Sequence, residues 1–200
     1  TLLLISLALH LHAQTPAYVQ YTHKEGLPSN VCYQFFQNAR GYMWIGTNQG
    51  INRYSGIEFK NYSLEKYIKN NTEGITDIIN VKGELYFLNS GGSLLKYDYE
   101  MDSFKKLFSI QNKSFLSVAS LNDTHLIIGL SSGFVIYDIK NNTYTLQHSK
   151  TLLNRKVYFF KNKLYSATPR GLNIYTYNQE TNRLIFEKTI LSNQDVIDFT

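Results

Sequence analysis

Met43-Trp44-Ile45-Gly46-Thr47-Asn48-Gln49-Gly50-Ile51-Asn52-Arg53-Tyr54 decides the architecture, because the chain repeats it. Leu126-Ile127-Ile128-Gly129-Leu130-Ser131-Ser132-Gly133-Phe134-Val135-Ile136-Tyr137 keeps the same register. So does Leu164-Tyr165-Ser166-Ala167-Thr168-Pro169-Arg170-Gly171-Leu172-Asn173-Ile174-Tyr175. Each runs from an apolar stretch through a short turn to a glycine, with a tyrosine four residues later. Leu85-Tyr86-Phe87-Leu88-Asn89-Ser90-Gly91-Gly92 is looser and reaches Tyr97 with one extra residue. The tyrosines at 54, 97, 137 and 175 are spaced by 43, 40 and 38. Self-similarity at a period of about 20–50 residues is the mark of a repeat architecture.

Working outward from the first unit, residues 31–36 read as strand A and Asn38-Ala39-Arg40-Gly41 as a turn. Residues 42–47 are strand B, Asn48-Gln49-Gly50 a second turn, and residues 51–54 strand C. Ser55-Gly56 turns the chain into strand D, residues 57–62. Tyr and Phe number 16 and 12 and favour pleated, half-buried surfaces. Only residues 64–70 hint at a helix. Four strands at a period near 40 predict an all-β chain, a β-propeller of four-stranded antiparallel blades. The expected blades are about 31–63, 74–109, 115–148 and 155–190, within 31–192. Their structural repeat residues are Trp44, Gly46, Gly50, Tyr54, Gly92, Tyr97, Gly129, Gly133, Tyr137, Gly171 and Tyr175.

The ends fit this scheme. Leu2-Leu3-Leu4-Ile5-Ser6-Leu7-Ala8-Leu9 is too short for a transmembrane helix of ~20 residues. With Leu11-His12-Ala13 it fits a signal peptide, residues 1–13, cleaved between Ala13 and Gln14. Its charged start is missing, so the chain reads as part of a longer protein. Tyr18-Val19-Gln20-Tyr21-Thr22 resembles Phe59-Lys60-Asn61-Tyr62-Ser63, the end of strand D and the residue after it. Residues 14–30 are therefore expected to supply an orphan outer strand that closes the ring, followed by a loop. Residues 193–200 are expected to open a fifth blade as its strand A.

Composition removes several function classes. A single cysteine, Cys32, excludes a disulfide framework and a cysteine-based zinc site. Twenty basic against fifteen acidic residues leave +5, scattered along the chain, and nothing points to nucleic acid. His23, His125 and His148 lie in different units without ligand spacing, so no metal is expected. Asp98-Tyr99-Glu100-Met101-Asp102 alternates carboxylates but lacks the glycine and late glutamate of a calcium loop. It reads as a solvated hairpin between strands C and D. No carboxylate pair, nucleophile elbow or phosphate loop stands out, so no catalytic residue and no cofactor is expected. Trp44 invites sugar stacking, but its place between Met43 and Ile45 in strand B favours packing between blades. Asn48, Gln49, Ser131, Ser132 and Arg170 share one repeat position, the turn between strands B and C. Loops gathered on one propeller face make them ligand-binding candidates.

Tyr21-Thr22-His23-Lys24-Glu25-Gly26-Leu27-Pro28-Ser29-Asn30, then Trp44-Ile45-Gly46-Thr47, then Asn52-Arg53-Tyr54-Ser55-Gly56, resemble the two-component regulator propeller repeats of Bacteroidetes-type sensor proteins. The match covers residues 18–63. Later units match loosely: Leu88 and Ala167 replace the glycine seen at Gly46 and Gly129, and Ser55 stands where the family usually has aspartate. The resemblance implies a periplasmic sensing propeller of about seven blades, the range such rings occupy. In the family it precedes a membrane helix and a histidine kinase or hybrid regulator that works as a dimer. A small-molecule or oligosaccharide ligand, the remaining blades and the downstream domains are the implied partners. The competing expectations are an exported propeller enzyme, such as a polysaccharide lyase or glycosidase, and a free interaction scaffold.

Overall fold

A computed structural model describes residues 18–68 and 74–199, with the side chains of 149–152 left aside. The proposed cleavage site at Ala13 and Gln14 lies outside the described residues. A 3-10 turn, His23–Glu25, comes first, with Thr22 and Glu25 forming a capping box. Strands β1 Cys32–Gln37, β2 Met43–Thr47, β3 Gly50–Tyr54 and β4 Phe59–Tyr62 form the first sheet. The second holds β5 Ile75–Val81, β6 Glu84–Asn89, β7 Ser93–Asp98 and β8 Ser103–Ser109. β9 Phe115–Asn122, β10 His125–Leu130, β11 Ser132–Asp138 and β12 Thr143–Leu152 form the third. β13 Lys156–Phe160, β14 Lys163–Thr168, β15 Gly171–Asn178 and β16 Arg183–Ile190 form the fourth. Each is an antiparallel meander in sequence order, and the strand A elements β1, β5, β9 and β13 touch one another in succession.

The core lies between the sheets. One buried cluster joins Trp44, Ile51 and Tyr62 to Phe87, Tyr97 and Phe104. A second joins Tyr86, Leu88 and Leu94 to Leu126, Ile128 and Tyr137. The third joins Ile127, Phe134 and Ile136 to Leu164, Tyr175 and Leu184. Neighbouring residues of one strand point to opposite faces, so a sheet covered on both sides needs an unbroken apolar run. That is why Leu85-Tyr86-Phe87-Leu88 and Leu126-Ile127-Ile128 do not alternate with polar residues.

The repeated glycines have two separate causes. Gly50, Gly92, Gly133 and Gly171 turn with φ of 129°, 81°, 109° and 129°, where a side chain is strained. Gly46 and Gly129 instead face the next sheet. A Cβ on Gly46 would sit 2.9 Å from the Ile75 carbonyl oxygen, and one on Gly129 2.7 Å from that of Asn154. Leu88 fills the equivalent place in the second unit, in one cluster with Phe115.

Residues 18–22 and 193–199 enter no ladder among the described residues. Tyr21 packs its ring on Tyr54 and Phe59 of the first sheet, without entering a ladder. Residues 193–199 nevertheless run along the fourth sheet: the Val196 amide donates to the Thr168 carbonyl at 3.1 Å, and Arg155 pairs with Asp195. The hinted helix at 64–70 is one turn closed by the Tyr67 and Ile68 amides on the Leu64 carbonyl, with residues 69–73 undescribed.

Candidate functional site

The turns between strands B and C sit beside the connections that lead from one sheet to the next. The amides of Ser90, Ile110, Leu153 and Asn193 couple these segments to Gly74, Gly92, Ser131 and Arg170 through carbonyls at 2.8–3.1 Å. A threonine stiffens the first and fourth turns. Thr47 Oγ1 donates to the Gly50 carbonyl at 3.0 Å and accepts the Gln49 amide, and Thr168 repeats this with Gly171 and Arg170. Asn48, Gln49, Ser131, Ser132 and Arg170 therefore share one face of the arc. They come from three different units, and among the described residues only Ser132 meets a neighbouring cation, accepting from Lys113 Nζ at 3.3 Å.

A cavity of about 370 Å³ opens on this face. Ser90, Gly91, Ser93, Lys106, Gln111 and Lys113 line part of it. The five turn candidates do not line it. Two lysines, serine hydroxyls and a glutamine suit a polar or anionic ligand. The sequence signal was available: Gln111-Asn112-Lys113-Ser114 is a polar run facing the turn that carries the extra residue. Asn154, fully buried, closes the next connection, its Nδ2 donating to the Leu130 and Gly133 carbonyls and its Oδ1 accepting from Ser166.

At the inner edge, Asp77 is 3% exposed. Its Oδ1 accepts Gln34 Nε2 at 2.7 Å and the Ile78 amide at 3.0 Å. Its Oδ2 accepts the Val118 amide at 2.9 Å and faces Lys156 Nζ at 3.6 Å. Gln34, Ile78, Val118 and Lys156 belong to β1, β5, β9 and β13, so one carboxylate touches the innermost strand of all four sheets. Burial pushes the Asp77 carboxyl up, against the pull of Lys156 and of the three hydrogen bonds. The sequence reading missed this residue.

No protein-family model matches the sequence, and a search of curated proteins finds no match. Solved structures do match. The extracellular domain of the putative hybrid two component system BT3049 from B. thetaiotaomicron superposes with a TM-score of 0.69 at 19% identity, over 88% of this chain and 27% of that one. That of BT4673 from the same organism gives 0.63 at 22% identity, over 86% and 23%. BamB from Moraxella catarrhalis gives 0.58 at 12% identity, over 84% and 53%. The four sheets are blades of a β-propeller. The chain spans about a quarter of the length of the two-component extracellular domains it matches.

Within the propeller, Trp44 is fully buried between the first two blades, 4.6 Å from the Tyr97 ring and 5.4 Å from that of Phe87. A ring enclosed in this way has no face for a sugar. The C–D hairpins share one construction. Asp98, Asp138 and Asn178 accept turn amides, and Asp102, Asn142 and Asn182 follow at φ of 45°, 53° and 52°. Tyr97, Tyr137 and Tyr177 each donate to the last of these residues. The fourth hairpin tyrosine is thus Tyr177, whereas Tyr175 keeps the B–C register opposite Leu164. β15 runs on to Asn178, so two residues separate the glycine-register tyrosine from the hairpin tyrosine. His125 faces Asp138 at 3.8 Å, and no three potential metal ligands converge among the described residues. Burial pushes the Cys32 thiol up, away from the reactive thiolate.

Proposed function

We propose that this chain is part of an extracytoplasmic ligand-sensing propeller, the N-terminal portion of a membrane-bound two-component histidine kinase or hybrid regulator. The observation that carries this reading is the superposition of nearly all its blades on extracellular domains of hybrid two-component systems. The export segment and the Gly-Leu-Pro-Ser-Asn leader at residues 26–30 support it. The face of B–C turns and inter-blade connections, with its polar cavity, is where a glycan or other external ligand enters. Binding biases the parent dimer only through unequal affinity for its two signalling states.

Two experiments on the full-length protein test the reading. Thermal melting of the complete extracellular region with a panel of polysaccharide fragments is expected to show a rise with one of them; no shift with any removes the glycan version. Autophosphorylation of the full-length chain is expected, and its absence removes the kinase version.

A further inference from the structure

The inter-blade clefts on the side of the C–D hairpins are quasi-equivalent, and comparing them exposes a mismatch. In the first blade, Trp44, Arg53 and Lys60 lie directly opposite one another across strands B, C and D. The hairpin of the second blade sends Asp102 to them. Arg53 Nη1 reaches Asp102 Oδ1 at 3.3 Å, Lys60 pairs with Oδ2, and the Tyr62 hydroxyl donates at 2.6 Å. Two cations and two tyrosine hydroxyls thus close the first cleft around one carboxylate.

The same register in the second blade carries Tyr86, Lys96 and Lys105. The hairpin residue opposite is now Asn142, which has no charge to offer. Lys96 turns back to Glu84 of its own blade at 3.2 Å, and Lys105 pairs with no carboxylate among the described residues. Asp98 and Glu100 also line the cleft, but Asp98 Oδ1 is committed to its own turn amides. In the third blade the register reads Ile127, Ile136 and Thr145, and the cleft is apolar. Among the three described clefts, the second alone keeps two cations at this register without a carboxylate from the next blade's hairpin; its acids, Glu84, Asp98 and Glu100, come from its own blade. It is open: a groove of about 550 Å³ whose charged and polar lining comprises Lys96, Lys105 and Asn142 beside Glu84, Asp98 and Glu100.

We propose that the groove between the second and third blades is a binding site for a small carboxylate, which takes the place that the Asp102 side chain holds in the cleft before it. Lys105 supplies the charge. Asn142 Nδ2, unused among the described residues, donates a hydrogen bond, while Asn142 Oδ1 stays occupied by the Tyr137 hydroxyl at 2.7 Å. Tyr99, only partly buried, flanks the body of the ligand. A charge-assisted pair of this kind is stronger than a neutral one and sensitive to salt. The site requires no signalling step. Its failure leaves the sensor reading intact, and a failed sensor assay leaves the site intact.

The test is isothermal titration of the full-length protein with D-galacturonate and with N-acetyl-L-glutamate, each beside its methyl ester. The two acids share the carboxylate, and their arms tell a sugar acid from an amino-acid-derived one. At least one acid is expected to bind, with its ester about tenfold weaker. Asn142→Asp builds the missing carboxylate into the cleft and is expected to weaken the acid about tenfold. Asn182→Asp, one blade further on, leaves binding unchanged. Asp102 already occupies this hairpin position at φ 45°, so the Asn142→Asp chain keeps the fold. Lys105→Met, an exposed site, gives the same loss by a second route. Binding of neither acid, equal binding of acid and ester, or undiminished binding by both Asn142→Asp and Lys105→Met overturns the proposal.

Discussion

The Asp77 carboxylate and the Lys156 ammonium lie 3.6 Å apart, although they belong to the second and fourth blades. Lys156 reaches past the third blade, whose Val118 amide holds the same carboxylate oxygen. A single side chain therefore coordinates the inner edges of four consecutive repeats, in an architecture where each repeat otherwise contacts only its neighbours.

Asp77→Ala leaves the Val118 amide and the Gln34 amide group without their acceptor and removes the partner of Lys156. It is expected to lower stability by about 3 kcal/mol, because it orphans several buried groups at once. Asp77→Asn keeps one acceptor oxygen and costs less. Urea unfolding of the two variants beside the parent checks the order, and equal midpoints for all three would count against the hub.

Asp102 predicts a pH dependence. Burial raises its carboxyl, but hydrogen bonds from Lys60, Tyr62 and Tyr97 and the charge of Arg53 outweigh burial and hold it well below the usual carboxylate range. A folded-state value below the unfolded one stabilises at pH above the unfolded value, about 4, and that contribution is lost as pH falls below it. Asp102→Asn is expected to cost about 1 kcal/mol at neutral pH, discounted because the carboxylate is partly solvated. The gap between variant and parent should close on acidification from pH 5 to about pH 2. A gap that stays constant with pH would contradict the assignment.

The two kinds of glycine separate by mutation. Gly129→Ala drives a methyl into the Asn154 carbonyl of the next blade and is expected to cost about 2 kcal/mol through overpacking. Gly83→Ala meets nothing within 4 Å but sits at φ 86°, and costs about 1 kcal/mol through its backbone alone. Thermal melting distinguishes them further with Gly83→Asn. Asparagine tolerates the left-handed conformation and should recover much of the Gly83 loss. An alanine at 129 that melts with the parent would refute the close approach.

The strand order and most turns were legible because they depend on residues close in sequence. Gly50, Gly133 and Gly171 mark positive-φ turns, and the polar pairs beside them mark strand ends. Trp44 could be assigned to packing from its neighbours alone. What depends on the ring could not be read. Asp77 looks like a stray acid in Ile75-Thr76-Asp77-Ile78-Ile79, since its partners Gln34, Val118 and Lys156 meet it only once four blades share an axis. The polar cavity escaped for a related reason. Its lysines come from strand D and an inter-blade connection, while repeat alignment draws attention to the B–C turns. Counting from the preceding glycine makes Tyr175 the fourth anchor, but β15 extends to Asn178 and carries the hairpin role on to Tyr177.

The three clefts also give the arc joints of different chemistry. Every joint holds a buried apolar cluster, but on the hairpin side the first adds ions around Asp102, the second is open, and the third adds Gln147 bonded to the Leu184 backbone. Salt weakens the first in particular through screening, whereas cooling weakens all three by reducing the gain from apolar burial. Blades with nearly the same backbone are thus joined by contacts that answer differently to salt.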